Sequence, residues 1–141
     1  MIARQVLVDT GPIVAILSAN DANHSECVQE LSCLAPPLFT CWPVITEAHW
    51  LLRRQPRGVD GLFRAFSAGL LELAPLGADA LDWIAGFLKK YRKSGAQLAD
   101  AALVYLAERD NIETIFTLDR RDFSIFRFRR NRPFTILPNP G

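Results

Sequence analysis

Four acidic residues interrupt segments of the 141-residue chain that are otherwise apolar. Asp9 directly follows the run "VLV", and Asp119 directly follows "IFTL". Glu47 lies in "WPVITEAHWLL" and Asp100 in "QLADAALVYLA", where helical spacing puts each carboxylate on an apolar face. No lysine or arginine is one helical turn away from Glu47 or Asp100. Each of these two carboxylates therefore needs a distant partner, a proton or a bound cation.

The chemistry that such acids could perform together is metal-assisted. Two bare carboxylates 4 Å apart repel each other by about 4 kcal/mol at an effective dielectric constant of 20, so a cluster needs a divalent cation. Ligation by oxygen alone suits Mg²⁺ or Mn²⁺ rather than zinc. Metals held in this way activate water and stabilise an in-line displacement at phosphorus. The four residues therefore predict a metal-dependent reaction at a phosphodiester, provided that the fold brings them together.

Structural roles remain open for each acid. Asp9 and Asp119 both precede predicted helices and could be their N-caps, with Asp122 imitating the far end of a capping box. Glu47 and Asp100 could each form a buried ion pair with a distant basic residue.

The predicted elements alternate between strands and helices, which indicates an α/β fold. Strands are predicted at residues 4–8, 70–73, 113–118 and 133–137, and a short strand that ends at Thr40 is predicted after the two prolines of "PPLFT". Helices are predicted at residues 11–20, 23–34, 43–54, 58–68, 79–93 and 97–109, and a further one begins at "RRDF". Strands separated by helices pair in parallel, with helices on both faces of the sheet. Ligands bind beyond the carboxyl ends of such strands, which is where Asp9 and Asp119 fall.

Composition narrows the class of protein. The length predicts a single domain over residues 1–141, and 50% hydrophobic residues suffice for a sizeable core. The absence of a long apolar run and of a signal peptide predicts a soluble cytoplasmic protein. Cys27, Cys33 and Cys41 match no zinc pattern and are expected to be apolar filler. His24 and His49 share no helical face with an acid and are expected to be structural.

Positive charge is segregated although the net charge is only +1. Fourteen of the 16 lysines and arginines lie in residues 53–64, 89–93 and 120–132. These blocks could form a face for a polyanion or could be solvated helix ends. The stretch "FRFRRNRPF" interleaves aromatics with arginines, which suits either a track for single-stranded RNA or an exposed ribbon before an edge strand. The RNA-binding candidates are Arg120, Arg121, Arg127, Arg129 and Arg130.

The ordered set "LVDTGPIVAIL", "VITEAHWLL", "LADAALVYLAER" and "IFTLDRRDF" resembles the PIN-domain ribonucleases, and most closely the VapC-type toxins of toxin–antitoxin pairs. The resemblance covers almost the whole chain. It implies a three-layer α/β/α sandwich with a short, mostly parallel sheet, and cleavage of RNA that depends on Mg²⁺ or Mn²⁺.

The resemblance also implies roles for residues and partners. Asp9, Glu47, Asp100 and Asp119 would form the acidic, metal-binding site. Thr10 and Thr117 match supporting hydroxyl positions, and Asp122 matches an outer acid. Family members are commonly homodimers and are inhibited by a small antitoxin protein at the acidic cleft. Trp42, Trp50 and Trp83 are expected in the core or at a dimer interface.

Two other functions are compatible with the same pattern. The first is a PIN-fold module without catalytic activity that binds RNA or a protein. The second is a receiver-like domain in which Asp9 accepts a phosphoryl group, although the sequence shows no lysine at the end of a later strand.

Overall fold

A computed structural model describes residues 4–139 and shows a parallel five-stranded sheet. The strand order is β3-β2-β1-β4-β5, and all four neighbouring pairs are parallel. The strands are short because each spans three residues: β1 Val6–Val8, β2 Leu38–Thr40, β3 Leu71–Leu73, β4 Thr114–Phe116 and β5 Thr135–Leu137. The predicted α/β class and the predicted strands are confirmed, with strand ends shorter than the apolar runs suggested.

Helices connect the strands. The α-helices of the described residues are α1 Thr10–Leu17, α2 His24–Ser32, α3 Trp42–Leu52, α4 Pro56–Ser67, α5 Leu81–Lys90, α6 Leu98–Asp110 and α7 Arg120–Ile125. The long helix predicted at residues 79–93 is wrong in its extent. The segment is divided into a 3₁₀ turn Ala78–Ala80, then α5, then a second 3₁₀ turn Arg92–Ser94. Gly95 ends it with a left-handed φ of 75°, which glycine adopts without steric cost.

The core forms around the two central strands. All three residues of β1 and of β4 are buried, as expected for parallel strands that are covered on both faces. Helix α1 packs against α2, α3 and α4, whereas α6 packs against α3 and α5. Burial of each leucine, isoleucine or phenylalanine side chain stabilises the fold by about 1.5–3 kcal/mol. Within residues 4–139, no helix is both long and apolar enough to cross a bilayer.

The topology places a crevice at the carboxyl ends of β1 and β4. β2 and β3 lie on one side of β1, and β4 and β5 lie on the other, so the order in which strands are added to the sheet reverses between β1 and β4. Ligands of open α/β sheets bind at this switch point. The backbone N–H of Asp9 donates to the carbonyl of Phe116 at 2.9 Å, so the loops that follow the two strands begin side by side.

Candidate active site

Asp9 is a buried acid at the end of β1. It is the N-cap of α1, and its Oδ1 accepts a hydrogen bond from the Thr10 N–H at 2.8 Å. Its Oδ2 accepts from the Thr117 hydroxyl at 2.8 Å. Only 9% of the residue is exposed. The predicted N-cap role is therefore correct, and it leaves the carboxylate at the edge of the sheet.

Asp119 and Asp122 form a second acidic pair at the start of α7. Asp119 is the N-cap, and its Oδ1 accepts from the Asp122 N–H at 3.3 Å. Its own N–H donates to the Thr117 hydroxyl oxygen at 3.0 Å. Thr117 thus accepts from the backbone of one acid and donates to the carboxylate of another, which makes it the link between Asp9 and Asp119.

Asp100 lies in the first turn of α6, and only 8% of it is exposed. Its Oδ2 accepts a hydrogen bond from the N–H of Gln97, the N-cap residue, at 2.9 Å. Glu47 differs because it lies in the middle of α3 and is half-buried. In the described part of the chain, its carboxylate has neither a hydrogen-bond partner nor an ion-pair partner.

The predicted convergence occurs, since Asp9, Glu47, Asp100, Asp119 and Asp122 all line one open cleft of about 420 Å³. Among residues 4–139, no lysine or arginine lines this acidic cleft. The ion-pair alternative for Glu47 and Asp100 is wrong for residues 4–139, whose three ion pairs involve other acids.

The electrostatics of the cleft follow from burial and mutual repulsion. Burial raises the pKa of Asp9, the Thr10 and Thr117 hydrogen bonds oppose this, and the charges of Glu47 and Asp119 add to it. Burial likewise raises the pKa of Asp100 to about 7; the Gln97 hydrogen bond opposes the rise, and nearby acids reinforce it.

Asp122 is the third acid of the cleft with a raised pKa. Desolvation is the main cause, followed by its hydrogen bond to Asp119 and by the negative charge of that neighbour. The protein therefore supplies these carboxylates with little counter-charge of its own.

Helix N-termini are the favourable partners that the fold does supply. Asp9 and Asp119 cap α1 and α7, and Asp100 occupies the first turn of α6. The N-terminus of a helix carries a partial positive charge worth about 0.3–1 kcal/mol to an adjacent anion. Three helix starts meeting at one crevice explain how the acids fold beside one another.

The donor set fits a hard divalent cation, although the side chains as arranged do not form a complete cage. The described residues that line the cleft offer carboxylate and hydroxyl oxygens, and none of them carries a thiol or an imidazole. Among residues 4–139, no three histidine, cysteine or acidic side chains converge closely enough to ligate one ion directly. Oxygens of Asp9 and Asp100 are instead turned toward backbone N–H groups. Mg²⁺ keeps several waters and uses only one or two carboxylates, so this arrangement suits it.

Comparison with known proteins agrees with this geometry. The family model of the PIN domain matches residues 6–129. The chain belongs to the PIN-domain family. The chain is 32% identical over 136 residues to Ribonuclease VapC26 of Mycobacterium tuberculosis (strain ATCC 25618 / H37Rv), and the match covers 94% of this chain and 100% of the relative.

A solved structure supports the fold. The crystal structure of Mycobacterium tuberculosis VapC20, described as a sarcin-ricin loop cleaving toxin, matches with a TM-score of 0.70 at 19% identity. The match covers 79% of this chain and 87% of that chain. The receiver-like alternative is wrong, because receiver-like sheets have the order 2-1-3-4-5 rather than the observed β3-β2-β1-β4-β5.

The threonines of the PIN domain differ in their orientation. Thr117 contacts the acids directly, as described above. The Thr10 hydroxyl instead donates to the Val44 carbonyl at 3.5 Å, so this residue ties α1 to α3 beside the cleft. Thr10 therefore contacts the acids only through its backbone N–H, which donates to Asp9, and its hydroxyl bonds to none of their carboxylates among the described residues.

Some residues of the cleft escaped the sequence analysis. Gln97 holds Asp100 through its backbone, which no side-chain pattern reveals. Gly95 and Gly11 also line the cleft. A Cβ at Gly11 would approach the Leu118 side chain to 3.3 Å, so the absence of a side chain lets the two loops pack closely. "DTG" and "KSG" are the local signals, since Gly11 lies in the first turn of α1 and Gly95 ends the 3₁₀ turn before α6.

The candidate arginines lie outside the acidic cleft. Arg120 pairs with Glu26 at 3.1 Å, and Arg127 donates to carbonyls at the end of α7. Arg129 donates to the Glu108 carbonyl at 2.8 Å. Arg121 and Arg130 are exposed. The stacking part of the RNA-track hypothesis is wrong for Phe126 and Phe128, which are 0% and 2% exposed and belong to the core.

Proposed function

We propose that this PIN domain hydrolyses phosphodiester bonds of RNA with the help of Mg²⁺ or Mn²⁺, as the toxin of a type II toxin–antitoxin pair. The observation that carries the proposal is the acidic cleft: its carboxylates converge where no basic side chain lines the surface. The relative Ribonuclease VapC26, matched over its full length, supports RNA as the substrate.

Asp9, Glu47, Asp100 and Asp119 would hold the cation, one or two of them directly and the others through its bound waters, and Asp122 would support them from the rim. When bound, the metal supplies charge neutralisation and a more acidic water. The Thr117 hydroxyl fixes the orientation of Asp9 and the backbone of Asp119. Buried Asp9 and Asp100 carry raised pKa values, so loss of their protons is coupled to the arrival of positive charge.

RNA cleavage in Mg²⁺ or Mn²⁺, compared with cleavage in EDTA, tests the proposal. Purified protein should cut RNA with either metal and should lose the activity in EDTA, after tightly held metal has been removed and verified by elemental analysis. Full cleavage by metal-free protein would refute the metal mechanism. Binding of RNA without any cleavage, under all metals tried, would favour the non-catalytic module instead.

The proposed function also implies an RNA substrate and an inhibitor protein as partners of the chain. Arg121 is exposed near the rim of the acidic cleft. The exposed Arg120–Glu26 pair contributes little to stability and can open toward RNA phosphates.

A small antitoxin protein is the expected inhibitor. A short neighbouring reading frame that encodes a DNA-binding protein would support the toxin assignment, and co-expression should yield a stable complex without ribonuclease activity.

A homodimer is the remaining part of the proposal. Trp42, Trp50 and Leu98 are 59%, 61% and 55% exposed, and they line one apolar depression beside Glu47. Large exposed apolar side chains that form one patch mark interaction surfaces. A second copy of the chain, presenting the same patch about a two-fold axis, would bury these side chains next to the acidic cleft.

A further inference from the structure

A second cleft, of about 490 Å³, shares no lining residue with the acidic cleft. We call it the α5 groove. One of its walls includes Trp83, Lys90 and Tyr91, and the other includes Arg127, Arg129 and Arg130. Nothing in the proposed catalytic site uses these residues.

Aromatic packing makes the floor of the α5 groove rigid. Phe87 is 6% exposed, and its ring centroid lies 5.5 Å from that of Trp83 and 4.7 Å from that of Tyr91. The Tyr91 hydroxyl oxygen accepts the Arg127 N–H at 3.3 Å, which joins the floor to the opposite wall. Phe128, at 2% exposure, anchors that wall in the core.

A tight turn holds the arginines of the opposite wall. Phe128 and Arg132 exchange backbone hydrogen bonds of 3.1 and 2.7 Å, and Arg129, Arg130 and Asn131 between them have φ values of 36°, 56° and 73°. Three consecutive left-handed residues other than glycine are rare and persist where the surroundings hold them. Glu108 holds this turn in place, because its carboxylate accepts a hydrogen bond from the Arg129 N–H at 2.8 Å.

The charge of the α5 groove is not neutralised by the protein. Its lining contains four cations, Lys90, Arg127, Arg129 and Arg130, and two acids, Asp82 and Glu108, which leaves a net charge of +2. None of the three ion pairs in residues 4–139 involves these cations. The guanidinium groups of Arg127 and Arg129 donate to neutral carbonyls, so their charge remains available.

The α5 groove adjoins the acidic cleft along the chain. Lys90 ends α5, and after the turn Arg92–Ser94 the next residue is Gly95, which lines the acidic cleft. Five residues span at most about 18 Å, so one flexible polymer can occupy both places. The intervening Arg92 and Lys93 are exposed and add positive charge along the way.

We propose that the α5 groove is an exosite for single-stranded RNA, in which Lys90 and Arg130 bind phosphates of the strand that is cut in the acidic cleft. The inference rests on the proposed function for its substrate class. Uncompensated cations above an aromatic floor suit a polyanion that carries planar bases. A polymer, unlike a small anion, is long enough to extend from the α5 groove to the acidic cleft.

Direct binding of RNA in EDTA tests the exosite independently of catalysis. The probe is a labelled single-stranded RNA of about twelve nucleotides, a length that spans more than one contact region. The variant Lys90→Gln/Arg130→Gln removes two charges whose side chains donate no hydrogen bond within residues 4–139. The matched control is Arg57→Gln/Arg64→Gln, which removes two exposed charges from α4.

The expected result is weaker binding by about 25-fold at 0.1 M salt, because each lost phosphate contact costs about fivefold and lowers the salt slope by about 0.7. An unchanged affinity and slope would overturn the exosite, as would an equal loss in the control. A polyglutamate peptide serves as a second probe. If it binds the wild type and not the variant, while RNA binding is unchanged, the groove belongs to an acidic protein segment and the proposal fails.

Cleavage separates this inference from the proposed function. The variant should keep kcat on a short RNA that fills only the acidic cleft, and its KM should rise on the longer RNA alone. If the wild type binds RNA at the groove and cuts nothing in any metal, the catalytic proposal fails and the binding result stands. If the wild type cuts RNA and the variant matches it in both binding and cleavage, the exosite is refuted and the proposed catalytic function stands.

Discussion

The Thr117 hydroxyl donates to Asp9 Oδ2 at 2.8 Å across 108 residues of sequence, and the same oxygen accepts the Asp119 N–H at 3.0 Å. One side chain thereby joins the loops that follow the two central strands. The contact is buried, so a change of this hydroxyl affects two acids of the cleft at once.

Thr117→Val should reduce both stability and activity. The substitution keeps the shape, but it leaves the buried Asp9 oxygen without its donor, which costs about 1–3 kcal/mol. It also removes a hydrogen bond that lowers the pKa of Asp9. The pKa of Asp9 should therefore rise further, and the rise of the cleavage rate with pH should move to higher pH. Thermal melting and pH–rate profiles measure the two effects.

Thr114→Val is the matched control in β4, the strand that Thr117 directly follows. The Thr114 hydroxyl is buried without a hydrogen-bond partner within the described residues, so its loss should be neutral or stabilising. Equal destabilisation by both substitutions would show that packing, rather than the Asp9 contact, explains the effect at Thr117.

Asp100→Asn should separate folding from function. The pKa of Asp100 is about 7 in the folded chain and about 3.9 when unfolded. Because the folded state binds the proton more tightly, metal-free protein should lose stability as the pH rises from about 4 to 7. Asparagine cannot ionise, so the variant should lack this loss and should melt at a higher temperature than the wild type at pH 8 in EDTA.

The size of the Asp100→Asn effect is measurable. Each 1 kcal/mol gained should raise the melting temperature by roughly 3–5 °C for a chain of this length. Cleavage in Mg²⁺ should be almost abolished, because a ligand charge is missing. A variant that melts lower at pH 8, or that cleaves RNA normally, would remove Asp100 from the proposed metal site.

Divalent cations should stabilise the wild type, and the gain should grow with the logarithm of the ratio of cation concentration to dissociation constant. At 100 times the dissociation constant the gain is about 2.7 kcal/mol, because only the folded chain presents the converged acids. Asp9→Asn and Asp119→Asn should each lose most of the shift in melting temperature with Mn²⁺. Asp60→Asn changes an exposed carboxylate on α4 and should retain the full shift. A shift of the same size in all variants would indicate binding outside the cleft.

Trp50→Glu should dissociate the proposed homodimer. The indole is 61% exposed in the single chain, and a carboxylate buried at its place in an interface would be costly. Light scattering at micromolar concentration should give a dimer mass for the wild type and a monomer mass for the variant. Leu81→Glu alters a side chain that is 64% exposed outside the tryptophan depression and should leave the dimer intact. A wild-type monomer would refute the dimer directly.

Local sequence signals sufficed for the elements and for the identity of the acids. Asp9 and Asp119 were recognisable because each ends an apolar strand, and Asp100 because a carboxylate among alanines and leucines is costly to bury. The order of strands and helices then implied the common edge, since parallel strands present their carboxyl ends together. These properties depend on neighbours within a few residues, which the sequence displays directly.

Tertiary structure alone decided which groups the acids contact. Packing between segments turns the Thr10 hydroxyl toward α3 and buries Phe126 and Phe128. The folded backbone likewise supplies the Gln97 N–H that holds Asp100. Residues 120–132 look like one continuous basic segment in the sequence. In the fold, however, Arg120 pairs with Glu26, whereas Arg130 lines the α5 groove. Alternating residue types cannot reveal this, because side-chain direction at a turn follows the local backbone and the partners that hold it. The sequence by itself determined the acids and the sheet that gathers them, and the folded chain determined their hydrogen bonds and the distribution of positive charge around them.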